Sequence, residues 1–233
     1  MRTYLNKIYK KYKKILDQKN YKKWVDDFGD EKLKFDYDLT KDSIVFELGA
    51  FKGGMLNKLN NKFGSNIYAF EPSLEFYTLL ENTFQQDNIY LFQNGISNKN
   101  EKKKLIISND GSYIKRFGRK NLNYEIVNLI KLSEFIKNNH IENIDLININ
   151  IEGSEYVVLD ELIKSSSIKK IEHLIAEKKI EYIAIDGGHE RGSSQEETFS
   201  VLSNKLIERG FKMLEINFKG KRALFINQNY TYS

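Results

Sequence analysis

The chain has 233 residues, of which 40% are hydrophobic and 13% aromatic, and its formal net charge is +5. This length favours one α/β domain with an appendage, and the apolar content excludes a largely disordered chain. The absence of cysteine excludes a disulfide framework, a thiolate nucleophile and a zinc cluster built on cysteines. The sequence shows no signal peptide and no apolar run of ~20 residues, so we expect a cytoplasmic protein without stable membrane insertion.

A helical appendage is predicted for residues 1–40, ahead of a main domain at residues 41–233. In residues 2–23, lysines alternate with apolar residues that recur every three or four positions, which is typical of an amphipathic helix with a basic outer face. This face could be solvated or could contact an anionic partner. No aromatic and basic repeat occurs elsewhere, so we do not expect a nucleic acid substrate, and the oligomeric state stays open.

A strand, a glycine-containing loop and a helix are predicted next. The strand at residues 44–48 contains Glu47, and the loop residues are Gly49, Ala50, Phe51 and Gly53. Glycine lets a ligand approach the backbone, and the start of a helix offers free N–H groups to an anion. A dinucleotide site needs a second glycine two positions after the first, to make room for a pyrophosphate, and that glycine is missing here. The loop therefore indicates another nucleoside-bearing cofactor.

Two further strands add groups to the predicted cofactor site. The second strand, near residues 67–70, ends at Glu71 and Pro72, and a carboxylate in this position can accept both ribose hydroxyls. The third strand, near residues 89–93, is followed by Asn94, Gly95, Ile96 and Ser97. The polar side chains there could bind the adenine edge while Ile96 covers its face, but Asn-Gly is equally a turn signal.

The fourth strand, near residues 144–150, ends in polar side chains. Asn150, Glu152 and Glu155 surround Gly153, where a buried strand is expected to meet the pocket. A fifth strand, near residues 181–186, ends at Asp186, and His189 follows two glycines. The candidates for a general base are His189, Asp186, Glu152 and Glu155. Asn150, Asp186 and His189 could instead hold a divalent metal, although three such ligands do not specify a site.

The remaining segments complete an alternating pattern of strands and helices. Residues 168–179 have helical spacing, but residues 171–177 could form a strand. A capping box at residues 193–197 opens a helix that ends near Arg209, and strands follow at residues 211–217 and 222–227. This order predicts a seven-stranded, mostly parallel sheet with an antiparallel last strand, covered by helices on both faces. The polar residues 108–126 are predicted to be an insertion at the pocket rim, which could bind a phosphate or be solvated.

The motifs, in this order, resemble the FkbM family of class I S-adenosylmethionine-dependent methyltransferases. Residues 145–155, Asp-Leu-Ile-Asn-Ile-Asn-Ile-Glu-Gly-Ser-Glu, are similar to the family signature D-L-L-K-I-D-x-E-G-x-E. The same family is matched by Phe-Glu-Leu-Gly-Ala-Phe-Lys-Gly at 46–53, Tyr-Ala-Phe-Glu-Pro at 68–72, Asn-Gly-Ile-Ser at 94–97 and Leu-Ser-Glu-Phe at 132–135. The resemblance implies S-adenosylmethionine as cofactor, with Glu47 and Gly49 beside its methionine moiety and Glu71 on its ribose.

The family resemblance further implies O-methylation of a sugar or another hydroxylated metabolite. The acceptor would be a small carbohydrate, phosphorylated or nucleotide-linked, in surface polysaccharide or glycoconjugate biosynthesis. The family usually has Asp, Lys and Asp where this chain has Glu47, Asn148 and Asn150, and asparagine cannot act as a base. The alternatives are a metal-assisted methyltransferase for another small molecule and a non-catalytic binding protein that retains the fold.

Overall fold

The computed structural model describes residues 35, 37–106, 113–114, 124–151, 154–165, 171–177, 204–216 and 222–227. The predicted helix in residues 2–23, the strand at 181–186 and the capping box at 193–197 lie outside these residues. The strands are β1 (Ile44–Leu48), β2 (Asn66–Phe70), β3 (Ile89–Phe92), β4 (Gly95–Ser97), β5 (Glu101–Ile106), β6 (Tyr113–Ile114), β7 (Tyr124–Lys131), β8 (Ile144–Ile149), β9 (Ile171–Glu177), β10 (Phe211–Ile216) and β11 (Arg222–Asn227). The helices are α1 (Gly54–Phe63), α2 (Leu74–Thr83), α3 (Leu132–Asn138) and α4 (Glu155–Ser165).

The larger sheet has the strand order β10-β11-β9-β8-β1-β2-β3. Its strands from β3 to β9 pair in parallel, and β11 runs antiparallel to both β9 and β10. The predicted parallel sheet and antiparallel last strand are therefore confirmed. Every residue of β8 is buried, as expected of a central parallel strand that is covered on both faces.

Residues 171–177 form a strand, so of the two alternatives left open for residues 168–179 the strand is confirmed over this stretch. β9 pairs with β8 from Ile144 opposite Ile171 onward, and its other edge pairs with β11. Its β-branched isoleucines suit a strand, and two ladders of backbone hydrogen bonds outweigh a short helical pattern. The helix predicted to end near Arg209 is confirmed where it is described, because residues 204–208 are helical and Gly210 follows with φ +91°.

Two hydrophobic clusters cover the two faces of the larger sheet. Phe46 and Leu48 belong to the cluster that includes residues of α3 and α4, and Val45 belongs to the cluster beneath α1 and α2. This division follows from the strand, because successive side chains point to opposite faces. Tyr37 is buried in the second cluster, so the chain joins the main domain just before β1. The predicted boundary after residue 40 stays a prediction.

A smaller sheet, which the sequence analysis did not predict, lies between β3 and β8 along the chain. Its strand order is β4-β7-β5-β6, and it buries a cluster of Leu105, Val127 and Leu129. β5 begins Glu-Lys-Lys-Lys, which is not a hydrophobic strand pattern. It is held as a strand by continuous antiparallel pairing with β7 from Glu101 to Ile106. The edge of the predicted insertion, residues 124–126, is therefore part of a strand.

Two adjacent glycines at the start of α1 give a matched test of this packing. Gly53 has φ +79°, and a Cβ there would lie 2.4 Å from the Phe84 ring and 2.9 Å from Leu80. We expect Gly53→Ala to lower the free energy of unfolding by about 2–4 kcal/mol, from left-handed strain and overpacking. At Gly54 a Cβ would meet no atom within 4 Å, so Gly54→Ala should raise that free energy by up to about 1 kcal/mol. Urea unfolding checks both, and equal effects would contradict the packing assigned to Gly53.

Candidate cofactor site

The carboxyl ends of β1, β2 and β8 bring the main candidate residues together. β1 pairs with β2 on one side and with β8 on the other, so the segments that follow these strands meet at one edge of the sheet. The N–H groups of Gly49 and Ala50 both donate to the Phe70 carbonyl at 3.0 Å, and the Asn150 N–H donates to the Leu48 carbonyl at 2.9 Å. In open parallel sheets this edge is where ligands bind.

Gly49 allows the loop after β1 to lie directly against the end of β8. Its φ is +89°, and a Cβ at this position would lie 2.1 Å from the Asn150 carbonyl oxygen. Real atoms cannot approach so closely, and L side chains rarely adopt this backbone conformation. Any larger residue would therefore push the loop away from β8.

Glu71 connects the two loops that follow β1 and β2. The side chain is only 5% exposed, and its Oε2 accepts the Phe51 N–H at 2.8 Å while its Oε1 accepts the Ser73 N–H at 2.9 Å. A carboxylate offers roughly four acceptor positions, so each oxygen keeps capacity for a further donor. The same contact holds Phe51 at φ +50°, a left-handed conformation that costs about 1–2 kcal/mol in a residue with a side chain.

The surroundings of Glu71 disfavour its ionised form. The pKa of this carboxyl is raised to about 7: burial is the main cause, the hydrogen bonds from Ser73 and Phe51 act in the opposite direction, and the charge of Glu125 makes a smaller raising contribution. The balance leaves Glu71 able to change its protonation state near neutral pH. A ligand that donates hydrogen bonds to the carboxylate would favour the ionised form.

Glu47 of β1 and Asn148 of β8, the two strand residues that differ from the family signature, contact each other. Glu47 and Asn148 are both buried and lie directly opposite each other in the register of the two strands. The Asn148 Nδ2 donates to the Glu47 Oε2 at 2.7 Å. Asn148 therefore serves as a hydrogen-bond partner of the buried acid, which needs one at this depth.

Three buried polar atoms near the ends of β2 and β8 accept or donate no hydrogen bond among the described residues. They are the Ser73 Oγ, the Asn148 Oδ1 and the Asn150 Oδ1. Buried polar atoms are ordinarily paired, at a cost of about 1–3 kcal/mol when they are not. A ligand with amino and hydroxyl donors would satisfy such acceptors, and S-adenosylmethionine has both. The residues present therefore fit this cofactor.

The segment from Asn94 to Ser97 has a structural role in addition to the one predicted. Asn94 lies in the connection after β3, and Gly95–Ser97 form β4, which pairs in parallel with β7. The Ile96 side chain is buried in the larger hydrophobic cluster. A binding role for Asn94 or Ser97 stays a prediction.

Of the four candidate general bases, only Glu155 is described. It is the first residue of α4 and is 2% exposed, and its Oε1 accepts the Ile151 N–H at 3.2 Å. This bond joins the first residue of α4 to Ile151, and the carboxylate is favoured at a helix start. Glu152, Asp186 and His189 lie outside the described residues, and their roles stay predictions.

Sequence reasoning missed two residues of this site. Ser73 follows Glu71 and Pro72 at the position before α2, and its residue type before a helix was an available signal. Glu125 lies in β7, in a strand that the hydrophobic pattern did not reveal, so no local signal connected it to Glu71.

Within the described ranges, no group of three or more histidines and acids is placed to hold a metal ion. In the same part of the chain, no helix has the length and apolar character needed to cross a membrane.

The sheet order, the glycine-containing loop after β1 and the buried acid after β2 define a class I S-adenosylmethionine-dependent methyltransferase. The family described as the methyltransferase FkbM domain matches residues 47–213. The chain belongs to the FkbM methyltransferase family, and S-adenosylmethionine is its cofactor. No curated protein matches the sequence.

Several solved structures resemble this chain at low identity. An rRNA methylase from Streptococcus thermophilus is 13% identical, with 86% of this chain and 94% of that chain covered and a TM-score of 0.46. The N-methyltransferase NodS from Bradyrhizobium japonicum is 13% identical, with 90% and 95% covered and a TM-score of 0.45. Aeropyrum pernix fibrillarin, with natively bound S-adenosylmethionine, is 12% identical, with 80% and 66% covered and a TM-score of 0.42. Likenesses at this level carry no information about the acceptor.

The raised pKa of Glu71, about 7, predicts pH-dependent cofactor affinity. If ribose hydroxyls donate to the ionised carboxylate, the affinity for S-adenosylmethionine should be about tenfold higher at pH 8 than at pH 6, and level above that. Calorimetric titration across this range measures the effect. Glu71→Gln keeps the size of the side chain but cannot ionise, so its weaker affinity should be flat with pH. An equal pH dependence in both proteins would contradict the assignment.

The same shift predicts how the stability of the unliganded protein varies with pH. Because the folded-state pKa of about 7 lies above the ordinary value of 4.5, Glu71 stabilises the fold fully only below that ordinary value. The contribution is lost as the pH rises through 7. Between pH 5 and pH 8 we expect the wild type to lose on the order of 3 kcal/mol more unfolding free energy than Glu71→Gln. Parallel urea titrations at several pH values give this difference, and two superimposable pH profiles would rule it out.

Proposed function

We propose that this protein transfers a methyl group from S-adenosylmethionine to a hydroxyl oxygen of a sugar or nucleotide-linked sugar. We place the reaction in the cytoplasm and in surface polysaccharide or glycoconjugate biosynthesis. The acceptor class is the one that the family resemblance of the sequence motifs implies. The observation that carries the donor side is the meeting of three groups at one edge of the sheet: the Gly49 loop, the buried Glu71 and the Asn150 side-chain oxygen, which has no hydrogen-bond partner among the described residues.

The proposed cofactor contacts follow from the free capacity of these groups. Glu71 would accept the two ribose hydroxyls at the acceptor positions that its backbone partners leave open. Asn150 would accept an N–H from the methionine part, which the loop from Gly49 to Gly53 would border. Glu47, held by Asn148, would lie beside the same part. The bound cofactor supplies a methyl group that its positively charged sulfur already activates.

The remaining task of the chain is to position the acceptor oxygen and to take its proton. Alignment in the site supplies most of the rate enhancement in such a transfer. A sugar hydroxyl is weakly acidic, so a base within hydrogen-bond reach should help. Glu155 is buried and already accepts the N–H of Ile151, the residue after Asn150. We therefore propose that Glu155 positions Asn150 and that His189 or Asp186 serves as the base. Asn150 cannot act as a base.

A transfer assay with labelled S-adenosylmethionine tests the proposal. The acceptors are nucleotide sugars, phosphorylated sugars and, for comparison, total RNA, each with and without a chelator. We expect label in a sugar and unchanged activity with chelator. Label in RNA would overturn the acceptor class, and loss of activity with chelator would favour the metal-assisted alternative. Calorimetric binding of the cofactor without transfer to any acceptor would favour the non-catalytic binding protein.

Two sets of variants separate the roles. Glu71→Ala should weaken cofactor binding by about 1.5–3 kcal/mol, the range for hydrogen bonds to a charged group. Glu75→Ala, which removes an exposed acid from the first turn of the following helix α2, should leave cofactor binding unchanged. Two variants test the base, His189→Ala and Asp186→Asn. The variant that removes the base should lower kcat by about 10²-fold or more at unchanged KM for S-adenosylmethionine. Unchanged cofactor affinity in Glu71→Ala would refute the ribose assignment.

A further inference from the structure

The turn that carries Glu71 is contacted by the smaller sheet at two points. The Leu74 N–H donates to the Glu125 Oε1 of β7 at 2.9 Å. On β4, Gly95 lies so close that a Cβ there would be 3.3 Å from the Pro72 Cβ and 2.5 Å from the Leu129 side chain. Two strands of the smaller sheet therefore touch the residues just after the acid.

Glu125 acts as the cap of α2 from another part of the chain. Ser73 has the extended backbone of a residue before a helix, at φ −72° and ψ 129°. Its own hydroxyl makes no capping bond, and it is buried with no hydrogen-bond partner among the residues that the structure describes. A serine in this position ordinarily bonds an N–H of the first turn. Here the Ser73 N–H is bonded to Glu71 and the next N–H to Glu125. Two consecutive N–H groups at the start of α2 are therefore bonded to two carboxylates, one local and one from β7. The helix dipole favours negative charge at this end of the helix.

The pair carries an electrostatic cost. Two carboxylates at one helix end repel each other, and the charge of Glu125 raises the pKa of Glu71. A lone serine cap would have avoided this repulsion. Glu125 must therefore contribute something that offsets this repulsion, and its bond to the Leu74 N–H fixes the position of the turn from Glu71 to Leu74.

We propose that Glu125 is a positioning residue for cofactor binding, which ties the turn from Glu71 to Leu74 to the smaller sheet and so keeps both Glu71 oxygens in place. This rests on the proposed ribose contact of Glu71. Without the hydrogen bond from Leu74 to Glu125, the turn would spend part of its time in conformations that cannot bind the cofactor. The apparent affinity would then fall in proportion to the fraction of molecules in the binding conformation. The smaller sheet is then a working part of the cofactor site.

Three variants of the full chain test the proposal. Glu125→Ala removes the acceptor, and we expect the Kd for S-adenosylmethionine to rise by about five- to tenfold, the equivalent of one lost cap. Glu125→Gln keeps an oxygen that can accept the Leu74 N–H, so it should restore affinity to within about twofold of the wild type. Glu75→Ala, which removes an exposed acid from the first turn of α2, is the matched control and should leave the Kd unchanged.

Hydrogen exchange at the Leu74 amide, followed by NMR in the absence of cofactor, supplies a readout independent of binding. Protection should fall in Glu125→Ala and persist in Glu125→Gln. Unchanged protection in Glu125→Ala would overturn the cap itself. Lost protection with unchanged Kd would overturn the positioning role, provided that Glu71→Ala weakens binding. If Glu71→Ala also leaves the Kd unchanged, the ribose assignment has failed, and a retained effect of Glu125→Ala on exchange would show that the tie still exists.

Discussion

The hydrogen bonds from the Phe51 and Ser73 N–H groups to one buried carboxylate are the contact on which the site depends. Through them, Glu71 holds the loop after β1 and the start of α2 in a single arrangement. The left-handed backbone of Phe51 persists because this bond and the packing of its ring, 4.4 Å from that of Phe76, stabilise it. A carboxylate buried this deeply is costly, and its pKa of about 7 measures that cost. Its hydrogen-bond partners among the described residues are these two backbone N–H groups, which carry no charge.

Much of the larger sheet could be predicted from the sequence. β1, β2 and β8 are largely apolar runs, and a parallel sheet buries such runs on both faces, so pattern and fold agree. The strands predicted to start at residues 211 and 222 are also present, as the antiparallel pair β10 and β11. Gly49 and Glu71 could be predicted because their roles depend on residue type at a strand end. The smaller sheet could not be predicted, because the lysine-rich β5 is a strand only through its pairing with β7. Register across the chain, not local sequence, decides such an element.

The partners of the site residues were equally beyond sequence reasoning. Glu125 contacts the start of α2 only because the fold brings β7 next to that helix end, 51 positions away in the chain. Asn148 contacts Glu47 only because β1 and β8 lie side by side. A sequence motif can indicate which acid could bind a ligand. It does not indicate which group orients that acid, because this group can lie far away in the sequence. The strand at β9 shows the same limit, because its helical spacing was overridden by neighbours on both sides.

The contact between Glu47 and Asn148 shows how a buried acid can be held without a second charge. The family resemblance implies Asp and Lys at these positions, and the two departures face each other across one rung of the sheet. The amide of Asn148 gives the buried acid a hydrogen-bond donor that is neutral. The pair is therefore bonded inside the sheet by an amide, where the resemblance implies an ammonium group.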